Sequence, residues 1–255
     1  MRIITLNTWG GRTGKQAQLD FFAKYGQSTD IFCLQEIWSA PYEHLEGKDA
    51  GGIPINNEEV MVYGKQEISK VLSEFKTYFR PLYGDHYGLL MLVKKDFKVL
   101  EEGEKFVFKD RGYVHPEKIG NHARSIQYAK IKNGTTPLTV INFHGLWNGN
   151  GKTDSPDRIL QSQNILDFLK TVEGDLVFCG DFNLLPITES LQMFEQSGLR
   201  NLIKEYGVTS TRTSHYPKPE KFADYIFISK GLKVKEFKVL PEEVSDHNAL
   251  SIEIE

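Results

Sequence analysis

Asp175-Leu-Val-Phe-Cys-Gly-Asp181-Phe-Asn183 is the stretch on which the fold turns. Leu176 to Cys179 are apolar residues in unbroken succession, the pattern of a strand buried on both faces. Gly180 ends the run and permits close backbone approach. Asp181 and Asn183 follow at a spacing of two, so an extended chain presents them on one side. A carboxylate and a carboxamide at the mouth of a buried strand form a polar site on a rigid base. The plainer alternative is a capped turn, because both residue types favour turns. The rest of the chain decides between the two.

The same pattern recurs upstream. Arg2 to Thr8 reads as a buried strand carrying Asn7 near its end. A loop with Gly10, Gly11 and Gly14 leads into a predicted helix from Lys15 to Tyr25, with Leu19, Phe22 and Ala23 on one face and Gly26 at its end. Asp30-Ile-Phe-Cys-Leu-Gln-Glu36 is a second buried strand ending in a carboxylate. Pro137-Leu-Thr-Val-Ile-Asn-Phe-His144 is a third, ending in His144. A helix from Pro156 to Thr171 follows, with Ser155 as N-cap, Pro156 at the first position, and Ile159, Leu160, Ile165, Leu166 and Leu169 as its apolar face. Two strand–helix–strand units therefore bring Asn7 and Glu36, then His144, Asp181 and Asn183, to the carboxyl ends of strands. Ligands of such sheets bind at those ends.

Further strands are expected at Glu59 to Tyr63, Thr77 to Pro81, Gly88 to Lys94 and Arg124 to Lys132. Others are expected at Val208 to Thr213, Asp224 to Ser229, Lys233 to Val239 and Ala249 to Ile254. A helix from Gln66 to Phe75 would bury Ile68, Val71, Leu72 and Phe75, and a short one would run from Thr188 to Gln196. No linker, charge block or low-complexity tract divides the 255 residues, so one domain over 1–255 is expected. Forty per cent apolar and 25% charged residues are ordinary for a globular protein. A net charge of −3 argues against a generic nucleic-acid binder, although a local basic patch would suffice. Cys33 and Cys179 each lie in an apolar run and read as reduced core residues rather than a disulfide. No apolar stretch is long enough to span a membrane, and Met1 leads straight into a strand without a signal peptide, so a cytoplasmic enzyme is expected.

Ser245-Asp246-His247 precedes the final strand. Histidine is the side chain best matched to proton transfer near neutral pH. Asp224, opening an earlier buried strand, is placed to accept the second ring N–H of that histidine and fix its tautomer.

Asn7, Leu34-Gln35-Glu36, His144, Gly180-Asp181-Phe182-Asn183, Asp224-Tyr225 and Ser245-Asp246-His247 stand in an order that resembles the endonuclease/exonuclease/phosphatase superfamily. That superfamily includes type I deoxyribonuclease, abasic-site endonucleases, deadenylases and neutral sphingomyelinases. The resemblance runs from Asn7 to His247, and the ordered set is far more specific than any one motif. It implies an α/β fold in four layers, two mixed β-sheets face to face with helices outside. It also implies that Glu36, with Asn7 and Asp246, holds Mg²⁺ or Mn²⁺, since hard oxygen ligands suit such ions. By the same likeness Asp181 orients or deprotonates the attacking water and Asn183 positions it. His247, paired with Asp224, stabilises or protonates the phosphoryl oxygens, and His144 donates to one of them. The implied activity is metal-assisted hydrolysis of a phosphoester, a nuclease-like diester first. A phosphatase or a phospholipid- or sphingomyelin-type diesterase is the alternative, and a non-catalytic binding module would require motif losses that are not seen.

Substrate contacts are less determined. Trp9, Trp38 and Trp147 each follow a site motif and offer either rim packing or an aromatic wall for a base or sugar. Residues 105–124 hold Lys105, Lys109, Arg111, Lys118 and Arg124 against Asp110 and Glu117, a loop able to grip a phosphate backbone or simply a solvated hairpin. Arg124, at a strand start, is its foremost substrate-binding candidate. The expected partner is a phosphoester substrate, nucleic acid among the possibilities, and the oligomeric state is not written in the sequence. Leu184-Leu185-Pro186 lacks the basic residue usual in inositol phosphatases, and Phe222 stands where the superfamily commonly has a basic residue.

Overall fold

Runs of β-branched and aromatic residues between turn formers become strands here. The computed structural model describes residues 1–39, 49–50, 53–54, 59–117, 120–134 and 136–255. The first half of the chain supplies β1 (Arg2–Asn7), β2 (Ile31–Trp38), β3 (Asp49–Ala50), β4 (Ile53–Pro54), β5 (Phe75–Tyr83), β6 (Tyr87–Lys94) and β7 (Val99–Phe108). The second supplies β8 (Arg124–Ile131), β9 (Leu138–His144), β10 (Asp175–Asp181), β11 (Arg200–Asn201), β12 (Asp224–Ile228), β13 (Val234–Val239) and β14 (Leu250–Ile254). The helices are α1 (Lys15–Gly26), α2 (Gly64–Val71), α3 (Pro156–Leu169), α4 (Glu189–Gln196) and α5 (Leu202–Glu205).

Two six-stranded mixed sheets result, ordered β13-β14-β1-β2-β6-β5 and β11-β12-β10-β9-β8-β7, with β3 and β4 as a separate pair. In each sheet the central pair is parallel, β1 with β2 and β9 with β10, as a strand–helix–strand crossover requires. The inner faces meet in a core that includes Ile3, Cys33, Met91, Val140, Cys179 and Ile252. The outer face of the first sheet packs Phe32, Leu34 and Leu92 against Phe22 of α1 and Ile68 of α2. On the second sheet, Phe178, Phe182, Tyr225 and Phe227 form an aromatic cluster with Phe194 of α4. Each such side chain, fully buried, contributes about 1.5–3 kcal/mol. The expected four-layer sandwich is therefore the observed architecture.

Capping and polar pairing fix the details that position the site. Ser155 caps α3 by accepting from the Arg158 N–H, with Pro156 in the first turn. Between the sheets, Gln35 Nε2 donates to Asn142 Oδ1 at 2.7 Å, and Asn142 Nδ2 donates to Gln127 Oε1 at 3.1 Å and to the Leu34 carbonyl at 3.0 Å. These fully buried amides tie the two sheets together directly behind their polar rim.

Several expectations fall differently. Glu59 to Tyr63 forms turns rather than a strand, because its backbone is used locally, with Val62 N–H on the Val60 carbonyl. Val208 to Thr213 contributes only one bridge, Arg212 to His247. Helix α2 ends at Val71, and Phe75 opens β5 instead of completing the helical stripe. On α3, Leu160 is 53% exposed, and the buried face is Arg158, Gln161, Ser162 and Ile165. Ala23 faces solvent, and Phe21 takes its place beside Phe22. Strand β7 was not expected, since Glu101, Glu102, Glu104 and Lys105 hide the period of an edge strand with one wet face. Cys33 and Cys179 are free and buried. Among the described residues no helix is long and apolar enough to cross a membrane.

Candidate active site

Sheet register assembles half of the site. Asp181 pairs with His144 across the parallel β9–β10 ladder and with Asp224 across the antiparallel β10–β12 ladder. Three neighbouring strands thus place His144, Asp181 and Asp224 in one row at the sheet edge. Gly180 makes the row possible: its φ is 141°, and a Cβ there would stand 2.0 Å from the Phe143 carbonyl oxygen. Beyond it, Asn183 adopts φ 55°, a left-handed conformation that asparagine tolerates. Its N–H donates to Asp181 Oδ1 at 2.8 Å and its Nδ2 to the Gly145 carbonyl at 3.2 Å.

The first sheet supplies the facing half. Pairing of β2 with β6 breaks register between Leu34 and Ile37, and Glu36 within the break has φ 58°. Bulges of this kind re-aim a side chain at sheet rims. The Glu36 carboxylate lines the pocket and is 21% exposed. Asn7 Nδ2 bridges the sheets, donating to Glu36 Oε1 at 3.1 Å and Asp181 Oδ2 at 2.9 Å. The Trp9 N–H requires the other end of that amide, Oδ1, at 2.9 Å. Asn7 therefore meets the carboxylates as a donor and spaces them, rather than offering an oxygen as the expected metal ligand. Trp9, Glu36 and Asn183 all have positive φ, and strain of this kind gathers at functional sites.

The Ser245-Asp246-His247 turn closes the rim. Ser245 Oγ donates to the Asn7 carbonyl at 2.7 Å and accepts from the His247 N–H, which locks the turn to the end of β1. His247 Nδ1 lies 2.9 Å from both oxygens of Asp224, and its Nε2 lies 3.6 Å from Asp181 Oδ2. Burial and the nearby Arg212 guanidinium push His247 down to about 4, while burial pushes Asp224 up to about 7. His144 Nε2 is 3.7 Å from Asp181 Oδ2 and 3.8 Å from Glu36 Oε1, and its Nδ1 is buried without a partner. Burial, then Arg124 and two histidines, depress its basicity well below the ordinary value.

These residues line one pocket of about 290 Å³, together with Trp9, Arg12, Arg124 and Trp147. Arg124 is 1% exposed and donates to the Gly120 carbonyl, while its Nε and Nη1 have no protein partner. Trp38, by contrast, is 3% exposed and packs on His86 and Tyr87. Its expected place in an aromatic substrate wall is corrected, because the break at Glu36 sends the following residues to the other side. Among the described residues, the basic hairpin reaches the pocket through Gly120, His122 and Arg124; Arg111 pairs with Glu104, Lys109 lies over Phe108 and Tyr113, and Lys118 falls outside the described residues. Arg12, Tyr87, Lys152, Arg212, Tyr216 and Lys218 also line the pocket and were not anticipated. A lysine in the glycine-rich turn after His144, Asn148-Gly-Asn-Gly-Lys152, was the one available signal.

Asp181, Asp224 and His247 offer ligand atoms within 4.8 Å of one another, a cluster able to hold a metal ion. That differs from the expected Asn7, Glu36 and Asp246. Asp224 spends both oxygens on His247 Nδ1, Asp181 accepts from Asn7 and the Asn183 N–H, Asp246 accepts from Arg212, and Glu36 accepts from Asn7 alone among the described residues. Burial pushes the Glu36 carboxyl up, and the Asp246 and Asp181 carboxylates push it further. Crowded hard oxygen donors of one sign fit a divalent cation.

A family model described as Endonuclease/Exonuclease/phosphatase family matches residues 4–247. No curated protein sequence matches the chain. Among solved structures, a mannosyl-6-phosphatase of Bacteroides thetaiotaomicron superposes with TM-score 0.76 at 15% identity, covering 100% of this chain and 99% of that one. An endonuclease/exonuclease/phosphatase family protein of Leptotrichia buccalis gives 0.74 at 19% identity, covering 100% and 99%. A humanized TDP2 of D. rerio gives 0.71 at 16% identity, covering 100% and 98%. At these identities the structures show a common fold. The family match shows more: the chain belongs to the endonuclease/exonuclease/phosphatase family of phosphoester-hydrolysing enzymes.

Proposed function

We propose that this family member is a divalent-metal-dependent phosphodiesterase, nuclease-like in chemistry, with Asp181 as the residue that orients and deprotonates the attacking water. The observation that carries the reading is the row of His144, Asp181 and Asp224, completed by His247 and faced by Asn7 and Glu36 from the other sheet. Asp181 accepts from Asn7 and from the Asn183 N–H, which fixes its carboxylate in one orientation. A base held by two donors loses little entropy in reaching its productive geometry. Asn183 sets that geometry through its backbone N–H. His247, held at Nδ1 by Asp224, presents Nε2 to the pocket; a bound phosphate would favour its imidazolium, which donates from Nε2 to a phosphoryl oxygen. Neutral His144 presents Nε2 on the same side. Arg124 points its unpartnered nitrogens at the phosphate, since a buried guanidinium binds such an oxyanion through a planar fork.

Glu36 and Asp246 would hold the cation, with Mg²⁺ or Mn²⁺ as the ions suited to few carboxylate ligands. Bound there, it would offset charge developing on the phosphoryl group. Trp9 and Trp147 flank the opening and would stack on the leaving group.

A second reading, a phosphatase acting on a small phosphoester, is favoured by the pocket's size. A cavity of about 290 Å³ is at the low end for ligand sites and takes one phosphoester with its immediate substituents. Hydrolysis of bis-(p-nitrophenyl) phosphate and of p-nitrophenyl phosphate, with Mg²⁺ or Mn²⁺ against EDTA, separates the two. Metal-dependent release from the diester, lost by 10²-fold or more in Asp181→Asn as expected for removal of a general base, supports the proposal. Release from the monoester alone supports the second reading, and an Asp181→Asn enzyme with full activity refutes both.

A further inference from the structure

Buried cations in proteins are ordinarily paired with carboxylates. Among the described residues, Arg12, Arg124, Lys152 and Lys218 make no ion pair, and all four line the pocket, Arg124 and Lys152 buried, Arg12 half-buried and Lys218 exposed. Lys152 is 3% exposed. Its Nζ donates to the Phe222 carbonyl at 2.9 Å and sits 4.8 Å from the Tyr216 ring centre. The Arg212 guanidinium covers the same ring at 4.1 Å; its Nη1 donates to Asp246 Oδ2 at 2.7 Å, and its Nε is buried without a partner. Lys218 lies 5.6 Å over the Trp147 ring. Lys152, Arg212 and Lys218, propped on two aromatic rings, thus form a cationic wall on the His247 side of the pocket. Arg124 holds the Gly120 carbonyl, beside the Trp147 ring on which Lys218 rests.

We propose that this wall is a second anion subsite, built for a further phosphate carried by the substrate next to the scissile phosphoester. The lining charges favour something of the kind. Arg12, Arg124, Lys152, Arg212 and Lys218 outnumber the lining carboxylates Glu36, Asp181 and Asp246 before any divalent cation is counted. Of the wall's cations Lys152 is both buried and without an ion pair, and a singly charged diester at the scissile position leaves it so, where unpaired charge is expensive. The cost is visible at Lys152, pushed down to about 8 by burial and by Arg212 beside it. A phosphate on the wall removes that cost and meets two ammonium groups and a guanidinium edge. The substrate class that follows bears two phosphates: a nucleotide chain with a neighbouring phosphate, or a small bisphosphorylated molecule.

The inference rests on the pocket being the phosphoester site, and its test is separable from that reading because it needs no turnover. Calorimetric titration of the whole protein in EDTA compares thymidine 5′-monophosphate with thymidine 3′,5′-bisphosphate, and fructose 6-phosphate with fructose 1,6-bisphosphate. The bisphosphate of at least one pair is expected to bind about tenfold or more tightly than its monophosphate, the size of one or two charge-assisted contacts. Lys152→Gln should remove most of the gain. Lys218→Gln, at an exposed position that folding does not need, should lower it by itself. A gain confined to the thymidine pair assigns the subsite to nucleotides, with Trp147 against the base; a gain in the fructose pair assigns it to small bisphosphates. Equal affinities within both pairs, or a gain that survives in both variants, overturns the proposal. Failure of the hydrolase reading looks different: no metal-dependent release from any phosphoester, with the binding gain intact.

Discussion

Replacing Glu36 by glutamine should stabilise the protein in EDTA while destroying its activity. Glu36 Oε1 and Asp181 Oδ2 both accept from Asn7 Nδ2, at 3.1 and 2.9 Å, which caps their separation at about 6 Å. At an effective dielectric of ~20, two unit charges that far apart repel by about 3 kcal/mol. Glu36 is 21% exposed, so solvent screens part of this, and a gain of roughly 1–2 kcal/mol is expected in urea unfolding at pH 7. Glutamine keeps the shape and can still accept from Asn7. The sign with pH follows from the raised carboxyl of Glu36. A carboxyl whose folded value lies above its unfolded value makes wild-type stability fall as pH rises through that interval. The advantage of Glu36→Gln should therefore be absent below the ordinary glutamate value and grow above it. Saturating Mg²⁺ or Mn²⁺ should reverse the order by stabilising only the wild type. A variant as stable as wild type or less stable in EDTA at pH 7, or one stabilised equally by metal, refutes the argument from crowded carboxylates.

Other outcomes follow from the same geometry. Asp224→Asn should lower kcat by about 10²-fold or more by freeing the His247 tautomer, with a smaller change in KM; an unchanged kcat removes Asp224 from the mechanism. Asn142→Leu leaves Gln127 Oε1 without its donor in the core, while Gln35 Nε2 keeps Thr5 Oγ1 and the Cys33 carbonyl, and should cost about 1–3 kcal/mol in denaturant unfolding. Lys152→Met should stabilise the protein at pH 7 by up to roughly 3 kcal/mol, the cost of holding a lysine near 8 instead of 10.5. Because the unfolded chain keeps that proton up to the higher value, wild-type stability should rise between pH 8 and 10.5, and the advantage of methionine should fade over that window.

What could be read from the sequence was whatever strand geometry dictates. Apolar runs ending in Asn7, Glu36, His144 and Asp181 announce both the sheets and the polar edge, because burial on two faces leaves little choice of residue. The pairing of Asp224 with His247 was also legible, since an imidazole beside a buried strand start needs an acceptor. For Trp38 the sequence left rim packing and a substrate wall both open, because a regular strand would keep it on the side of Glu36 and a break in register carries no composition; it packs on His86 and Tyr87. Arg12, Lys152, Arg212 and Lys218 sit in loops with no period, where a cation bound for a pocket looks like one bound for solvent. Asn7 was placed correctly, but its amide orientation is set by the Trp9 N–H, which only the folded turn supplies.

The Ser245 hydroxyl on the Asn7 carbonyl joins residues 238 positions apart. Strand β14 must likewise slot between β13 and β1 before the first sheet is continuous. Contacts of such range form late, because closing so long a loop is paid for before anything is gained. On the ribosome, the row of His144, Asp181 and Asp224 can be laid down while His247 is still in the exit tunnel. The nascent chain therefore carries carboxylates without their histidine, and hydrolytic competence arrives in one step with the final turn. A protease that clips the chain before Ser245 would sever β14 as well, so losing the histidine and opening the first sheet would come together.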